Sequence, residues 1–583
     1  MASPRAATDL ARRAQRSLTW LLLAVTLTAC AGSQPSPTRT DAPASSTATG
    51  SGNAKRMTIA IRGELPAFYR LAVRSVKTVP GIDEVENLVN AGLARLDNEG
   101  ELIPELAEAV PSIDNGLWVL FPNGRMETTW KIRANARWHD GAPLTSDDLV
   151  FTALVGRDPD LPTFANPNYR FLDQVEAVDE RTVKATWSQP FIAADTLFTG
   201  ELGLPLPKHL LEKPYAEAKG TFSDLPHWSD EFISSGPFRV KEFARGSYVA
   251  LQSFDGYVLG RPTVDIVEVK FIPDSAALVA NVLAGAVEMT IGNALSIDQA
   301  LDVRGQWRDG KVVVAPNTLQ RLHPQLLNPS PAIIGNVQFR RAMMHAMDRQ
   351  EIINALEGGL TTPPISFLAP NQPQHRDLES RVRTYEYDPN RAMQIIESLG
   401  YTRGPDGSFR DAAQERLQVE ILVIAGDDRA EKVMGATSDF WQRSGVGVTQ
   451  AYVSAVRLAE RGYVAERKGF YLIGGTSDVK GVVTFHSSNA PTLDSNYSGN
   501  NHSRYISPEF DALVDRYVVT IPQAERRQQL GVILEHIADQ LPIIPLYYRV
   551  DPYLIGNRLV NVTTKSANSL QTWNAYQWDV NER

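Results

Sequence analysis

One cysteine in 583 residues leaves no partner for an internal disulfide and no cysteine pair for a zinc site. The nine histidines contain no His-Glu-x-x-His and no close pair, so no dedicated metal site is expected. No Walker phosphate loop occurs. A Gly-x-Ser-x-Gly elbow is also missing, since Gly475-Thr476-Ser477-Asp478 comes nearest and lacks its second glycine. A basic excess is absent as well: the net charge of −9 argues against nucleic acid as a partner. Only one apolar run stands out, from Leu18 to Ala29, and it is shorter than the roughly 20 residues a spanning helix needs.

That run follows Arg5, Arg12, Arg13 and Arg16 and ends in Leu27-Thr28-Ala29-Cys30, which reads as a signal peptide over 1–29 with a lipobox. Cys30 is the expected lipidation site and first mature residue. Residues 31–55 hold no aromatic and no aliphatic larger than alanine, so 30–55 is expected to be a lipidated, disordered tether. Such a chain spans roughly 25–30 Å on average. Removing 1–29, with four arginines and one aspartate, leaves the mature chain at −12. Its 43% hydrophobic content and length near 550 residues imply more than one core.

The most informative stretch is 130–151, WKIRANARWHDGAPLTSDDLVF. Trp130, Ile132 and Ala134 alternate with Lys131 and Arg133, predicting a strand with one buried face. Asp140-Gly141 predicts a turn, and Thr145, followed by Asp147 and Asp148, predicts a capped helix beginning its apolar face at Leu149. Elsewhere Met57–Ile61, Ile266–Phe271 and Val419–Ile424 read as short strands. Residues 336–357 and 508–520 have helical periodicity, and Asp388-Pro389 and Gly400 bracket another helix.

The Trp-His-Asp-Gly-x-Pro-Leu-Thr core of 130–151 resembles the signature of the large extracytoplasmic solute-binding proteins of ABC importers, family 5, which includes oligopeptide-, dipeptide- and nickel-binding proteins. Four further blocks follow that family's order: LIPELAE at 102–108, SGPFRVKEF at 235–243, NVQFRRAMMHAMDR at 336–349 and YDPNRAMQIIESLGY at 387–401. The resemblance runs from about residue 56 to the C-terminus. It implies an α/β, two-lobed periplasmic-binding-protein fold of type II (Venus-flytrap) with an additional inserted domain. Carried over, a discontinuous domain I covers 56–88, 188–280 and 541–583. Domain II is an insertion over 89–187, and domain III, the opposite lobe, covers 281–540.

Arg340, Arg341, Asp348 and Arg349 are expected to form scaffold ion pairs. His139 and Asp140 suggest acid–base work, but neighbours on an extended chain point to opposite faces, and the family places this segment in a framework. No catalytic residue, metal site or cofactor is expected.

In the family the ligand lies between two lobes that close over it, so loops of domains I and III should build the site. Three segments are candidates. Arg62, Glu64, Phe68 and Tyr69 follow the first strand, although the two aromatics suit a core equally well. Gln320, Arg321, His323 and Gln325 fall where the family's chain runs along the cleft, and a guanidinium there suits a carboxylate or phosphate. Thr476, Ser477 and Asp478 replace a peptide-binding loop whose aspartate takes the ligand's amino terminus. The Tyr-Pro-Asp-Pro part of that loop is absent here. Trp573 and Trp578 are either pocket walls or domain I packing.

The expected function is a monomeric substrate-binding lipoprotein, periplasmic or on the cell surface. It captures a peptide or small-molecule solute and delivers it to permease subunits served by separate ATPase subunits. Alternatives are a non-peptide ligand (metal chelate, glycoside or organic acid), a signalling role, and an anchored hydrolase.

Overall fold

The computed structural model describes residues 54–73, 79–563, 565 and 569–582. Signal peptide, Cys30 and nearly all of the tether lie outside them. Residues 53–583 form one compact unit. Among the described residues no helix is long and apolar enough to cross a membrane.

Two long antiparallel strands, Gly310–Pro324 and Ile544–Gly556, form the middle of a ten-stranded mixed sheet. On one side of them lie Met289–Thr290, Arg56–Ile61, Ile266–Phe271, Tyr248–Ser253 and Phe238–Ala244. On the other lie Phe470–Gly475, Gln418–Ile424 and Gly447–Val453. The pairing of the two long strands loses register between Pro316 and Leu319 and again between Gln320 and Arg321. Before the first break the pair belongs to an N-terminal lobe; after it, to a C-terminal lobe. Proline lacks the N–H a ladder needs, which fits its place at the break.

Strand Arg56–Ile61 shows why the N-terminal half reads as consecutive apolar residues. Met57, Ile59 and Ile61 pack into one cluster with Phe68, Val269 and Trp578, whereas Ala60 packs on the opposite face with Leu278, Val303 and Leu554. A strand covered on both faces needs no polar alternation. Helices Ser275–Leu283 and Ile297–Gln306 supply that second face. Leu295, Val303 and Trp307 thus pack against the strand Arg56–Ile61, and the two long strands lose register after Pro316. On the return strand Ile544, Leu546 and Tyr547 pack with Leu322, Phe339 and Phe470.

The region expected as domain II carries its own four-stranded sheet, with Met126–Lys131 at its centre, and the helix Ser146–Gly156. Trp130 and Ile132 are buried as the alternation requires; Ala134 is exposed because the strand ends at Lys131. Thr145 and Asp148 form the capping box of the helix. Helix 336–357 is two helices, Val337–His345 and Arg349–Leu356, because the Asp348 carboxylate accepts the Glu351 N–H and starts a second one.

The arginines of that block differ from the expected ion pairs. Arg340 donates to the carbonyls of Gln540, Leu541, Ile334 and Gly335, closing the end of the helix Gln523–Gln540. Arg349 donates to the carbonyls of Tyr385 and Pro364. Among the described residues, only Arg341 of these three arginines meets a carboxylate, Asp539, at 3.7 Å. A planar fork satisfies several orphan carbonyls at once, which suits arginine at a helix C-terminus.

Candidate functional site

His139 and Asp140 do not act together. The His139 ring meets Gly236 O through Nε2 at 3.1 Å and accepts from the Ser234 N–H through Nδ1, and burial lowers its pKa to about 4. Asp140 faces the other way, 2.7 Å from His209 Nε2. The 138–141 turn is thereby tied to the 235–243 block. Gly236 is needed there because a Cβ would lie 2.3 Å from the Val89 carbonyl carbon.

A cleft enclosing about 1430 Å³, counting its open mouth, lies between the lobes. Its N-terminal wall includes Arg70, Glu86, Asn87, Arg95, Glu105, Glu201 and Trp573; its C-terminal wall is Gln372, Gln374, Asp478, Val479 and Lys480. The walls carry charge of both signs. Arg70 lies 3.4 Å from Glu86 and also donates to Gly200 O. Burial pushes Glu86 up to about 7, with Arg70 opposing. Arg95 is buried, sits over the Tyr576 and Trp573 rings and pairs with Glu105 at 3.3 Å. Burial works to lower the Arg95 pKa, and Glu105, Tyr257 and Tyr576 together more than offset it.

The C-terminal wall is the start of the helix Pro373–Leu378 with the segment before it, and the loop after Gly475, fastened to each other and to the sheet beneath. The Ala369 N–H donates to Ser477 O, and Tyr548 OH donates to Leu368 O. Arg321 donates to Thr476 O at 3.1 Å and lies within 6 Å of both the Phe367 and Phe485 rings. A Cβ at Gly475 would come 2.0 Å from Arg321 Nη2, so a larger residue there requires the guanidinium to shift. The Asp478 carboxylate accepts the Gly481 N–H at 2.7 Å, which turns the loop at the cleft.

The three expected segments separate accordingly. Arg62 is exposed and donates to Pro273 O, and Glu64 is exposed; neither lines the cleft. Phe68 and Tyr69 are core residues, with Phe68 against Phe232 and Phe243 and the Tyr69 hydroxyl on Leu204 O. Their neighbour Arg70 reaches the cleft instead. Gln320, Arg321, His323 and Gln325 are all buried inside the C-terminal lobe. Gln325 donates to the carbonyls of Ala465 and Arg467, and His323 pairs with Ser503. Burial holds Arg321 down at about 10 and His323 well below the usual histidine range. Arg321 therefore supports the third segment from below. In that segment Asp478 faces the cleft, while Ser477 is buried and Thr476 presents its carbonyl to Arg321. Trp573 lines the cleft; Trp578 is core. Sequence reasoning missed Gln372, Gln374 and Lys480. The polar run Pro370-Asn-Gln-Pro-Gln374 was the only trace of the first two.

Among the described residues no group of three or more acidic, histidine or cysteine side chains is placed to hold a metal ion.

Comparison with known proteins agrees with this architecture. The oligopeptide-binding protein AppA of Bacillus subtilis is 24% identical over 544 residues, covering 91% of this chain and 92% of AppA. HbpA2 from Haemophilus parasuis superposes with a TM-score of 0.73 at 17% identity, covering 90% of this chain and all of HbpA2. NikZ from Campylobacter jejuni, solved with Ni(L-His), superposes with a TM-score of 0.65 at 20% identity, covering 90% and 99%. The profile of the bacterial extracellular solute-binding proteins, family 5 Middle, matches residues 101–487. This chain therefore belongs to the family 5 extracellular solute-binding proteins of ABC importers, a binding protein and not an enzyme.

Proposed function

We propose that the ligand is a peptide, held in the inter-lobe cleft with its amino terminus toward Asp478 and delivered to membrane permease subunits. The carrying observation is the cleft itself, which has cationic, anionic, amide and apolar groups on its walls. A zwitterionic chain of amides uses all of these. The naming of AppA as an oligopeptide-binding protein supports the same class.

Capture works by closure. Contacts from both walls exist together only when the lobes are near each other, so a bound ligand favours that state. The register break at Pro316–Leu319, where both long strands cross between lobes, is the place for the motion. The protein works as a monomer on a lipid anchor at Cys30, a reading supported by Leu27-Thr28-Ala29-Cys30 and the polar segment behind it.

The test is denaturing extraction of whatever copurifies, followed by mass spectrometry. A stoichiometric peptide mixture, together with weaker binding to Asp478→Asn, is the expected result. A single non-peptide compound, or peptide binding indifferent to Asp478→Asn, overturns it.

A further inference from the structure

His323 is fully buried, and each of its ring nitrogens meets a polar partner. Nδ1 lies 3.1 Å from Ser503 Oγ, and Nε2 lies 3.2 Å from Arg321 Nε. The Ser503 hydroxyl has a single hydrogen and donates it to Pro542 O, which can only accept. Its oxygen is thus left to accept from His323, so the proton of the neutral ring sits on Nδ1. Nε2 is then a bare acceptor, as the Arg321 Nε–H requires. Burial, with Arg321, His502 and Arg467 close by, keeps a second proton off the ring.

Arg321 is itself buried and carries this constraint toward the cleft. Its Nη1 donates to Thr476 O, and the Phe367 and Phe485 rings lie beside the guanidinium. The next residue, Ser477, accepts the Ala369 N–H, and Asp478 accepts the Gly481 N–H and lines the cleft. A His323 ring protonated on Nε2 instead of Nδ1 would set two donors against each other and turn the guanidinium away from Thr476.

Resting on the reading that Asp478 meets the ligand, we infer that His323 is a positioning residue for binding: its Nδ1–H tautomer, fixed by Ser503, holds Arg321 under Thr476 and so sets where Asp478 stands in the cleft. His323 does not line the cleft. It acts through Arg321, by one hydrogen bond on each side of the guanidinium.

The test compares His323→Gln with His323→Met in full-length purified protein, by amide hydrogen exchange and by binding of a random pentapeptide library with free termini. A glutamine amide reaches the place of Nε2 and accepts from Arg321; methionine has the same reach without an oxygen. Both remove the imidazole, so lost ring packing affects them alike. His323→Met should speed exchange of the Ala369 and Gly481 N–H groups about tenfold and weaken library binding about tenfold, the weight of one hydrogen bond to a charged group. His323→Gln should stay within about twofold of the wild type in both measurements. Amides of the strand Met126–Lys131 should be unaffected in either variant. Ser503→Ala, which frees the tautomer without touching the ring, should loosen the same two amides by about threefold, and it decides the matter if His323→Met does not fold. Equal loop exchange in His323→Met and His323→Gln, an unaltered loop in Ser503→Ala, or a loosened loop with undiminished library affinity overturns the assignment. A wild type that binds no library while the loop responds as stated overturns the peptide reading and upholds the link from His323 to the loop.

Discussion

Lys480 on the C-terminal lobe and Glu201 on the N-terminal lobe hold their charges 2.8 Å apart at the cleft. Nearby, Arg526 donates to Ile192 O across the same boundary. Asp195 lies beside both cations, and burial raises it to about 6 against the pull of Arg526 and Lys480. This side of the cleft is thus held shut by contacts that separation of the lobes must break.

Both members of the Lys480–Glu201 pair are about half exposed, so the coupling should be modest, on the order of 0.5 kcal/mol. A double-mutant cycle with Lys480→Gln and Glu201→Gln should show roughly twofold faster ligand release in either single variant and no further gain in the double. The difference from wild type should shrink at high salt. Additive effects of the two substitutions are inconsistent with a direct contact.

Gly475 and Arg321 should be coupled more strongly. Gly475→Ala places a methyl group where Arg321 Nη2 sits, so a loss of about 1–3 kcal/mol is expected in denaturant melts. In an Arg321→Ala background the same substitution should cost much less. If the loss persists there, the clash is not its cause.

Arg340 bonds four main-chain carbonyls from two separate segments, so its removal leaves all of them seeking new partners. Arg340→Ala should destabilise by about 3 kcal/mol or more. Arg340→Lys should recover little of that, because a single ammonium cannot reproduce the fork. Full recovery with lysine in thermal melts is the contrary result.

Buried titratable groups give stability a pH dependence with two opposing parts. Glu86 goes from an ordinary value of 4.5 to about 7 on folding, so its contribution is fully present below pH 4.5 and is lost as pH rises through 7. Glu86→Gln should therefore stabilise the protein at pH 8, by up to about 3 kcal/mol, and leave it little changed at pH 4. His139, His227 and His502 shift the opposite way, from 6.5 to about 4, mainly through burial. They favour folding above pH 6.5, and that advantage disappears as pH falls to 4. Chemical denaturation from pH 4 to 8 should show the acid-side loss in both proteins and the alkaline-side gain only in the variant.

The amino-acid sequence by itself determined the local devices and the family. Although the strand expected from Trp130 to Ala134 lies at Met126–Lys131 and shares only its last two residues with that expectation, the Thr145 capping box, the Asp388 cap at Arg391 N–H and Gly400 with φ of +92° all follow from short-range rules. Each depends on residues within a few positions of one another, so a linear reading reaches it. Tertiary structure decided which polar residues meet the ligand space. Gln320, Arg321, His323 and Gln325 look as suitable for a cleft as Gln372 and Gln374, yet the first four are enclosed by strands and loops 140 to 180 positions away in sequence. It also decided where the lobes part: two strands more than 200 positions apart lose register together at Pro316–Leu319, and only their pairing makes that visible. A cleft is made by surfaces from separate segments, so its members have no shared spacing, whereas a cap or an alternating strand carries its spacing in the chain.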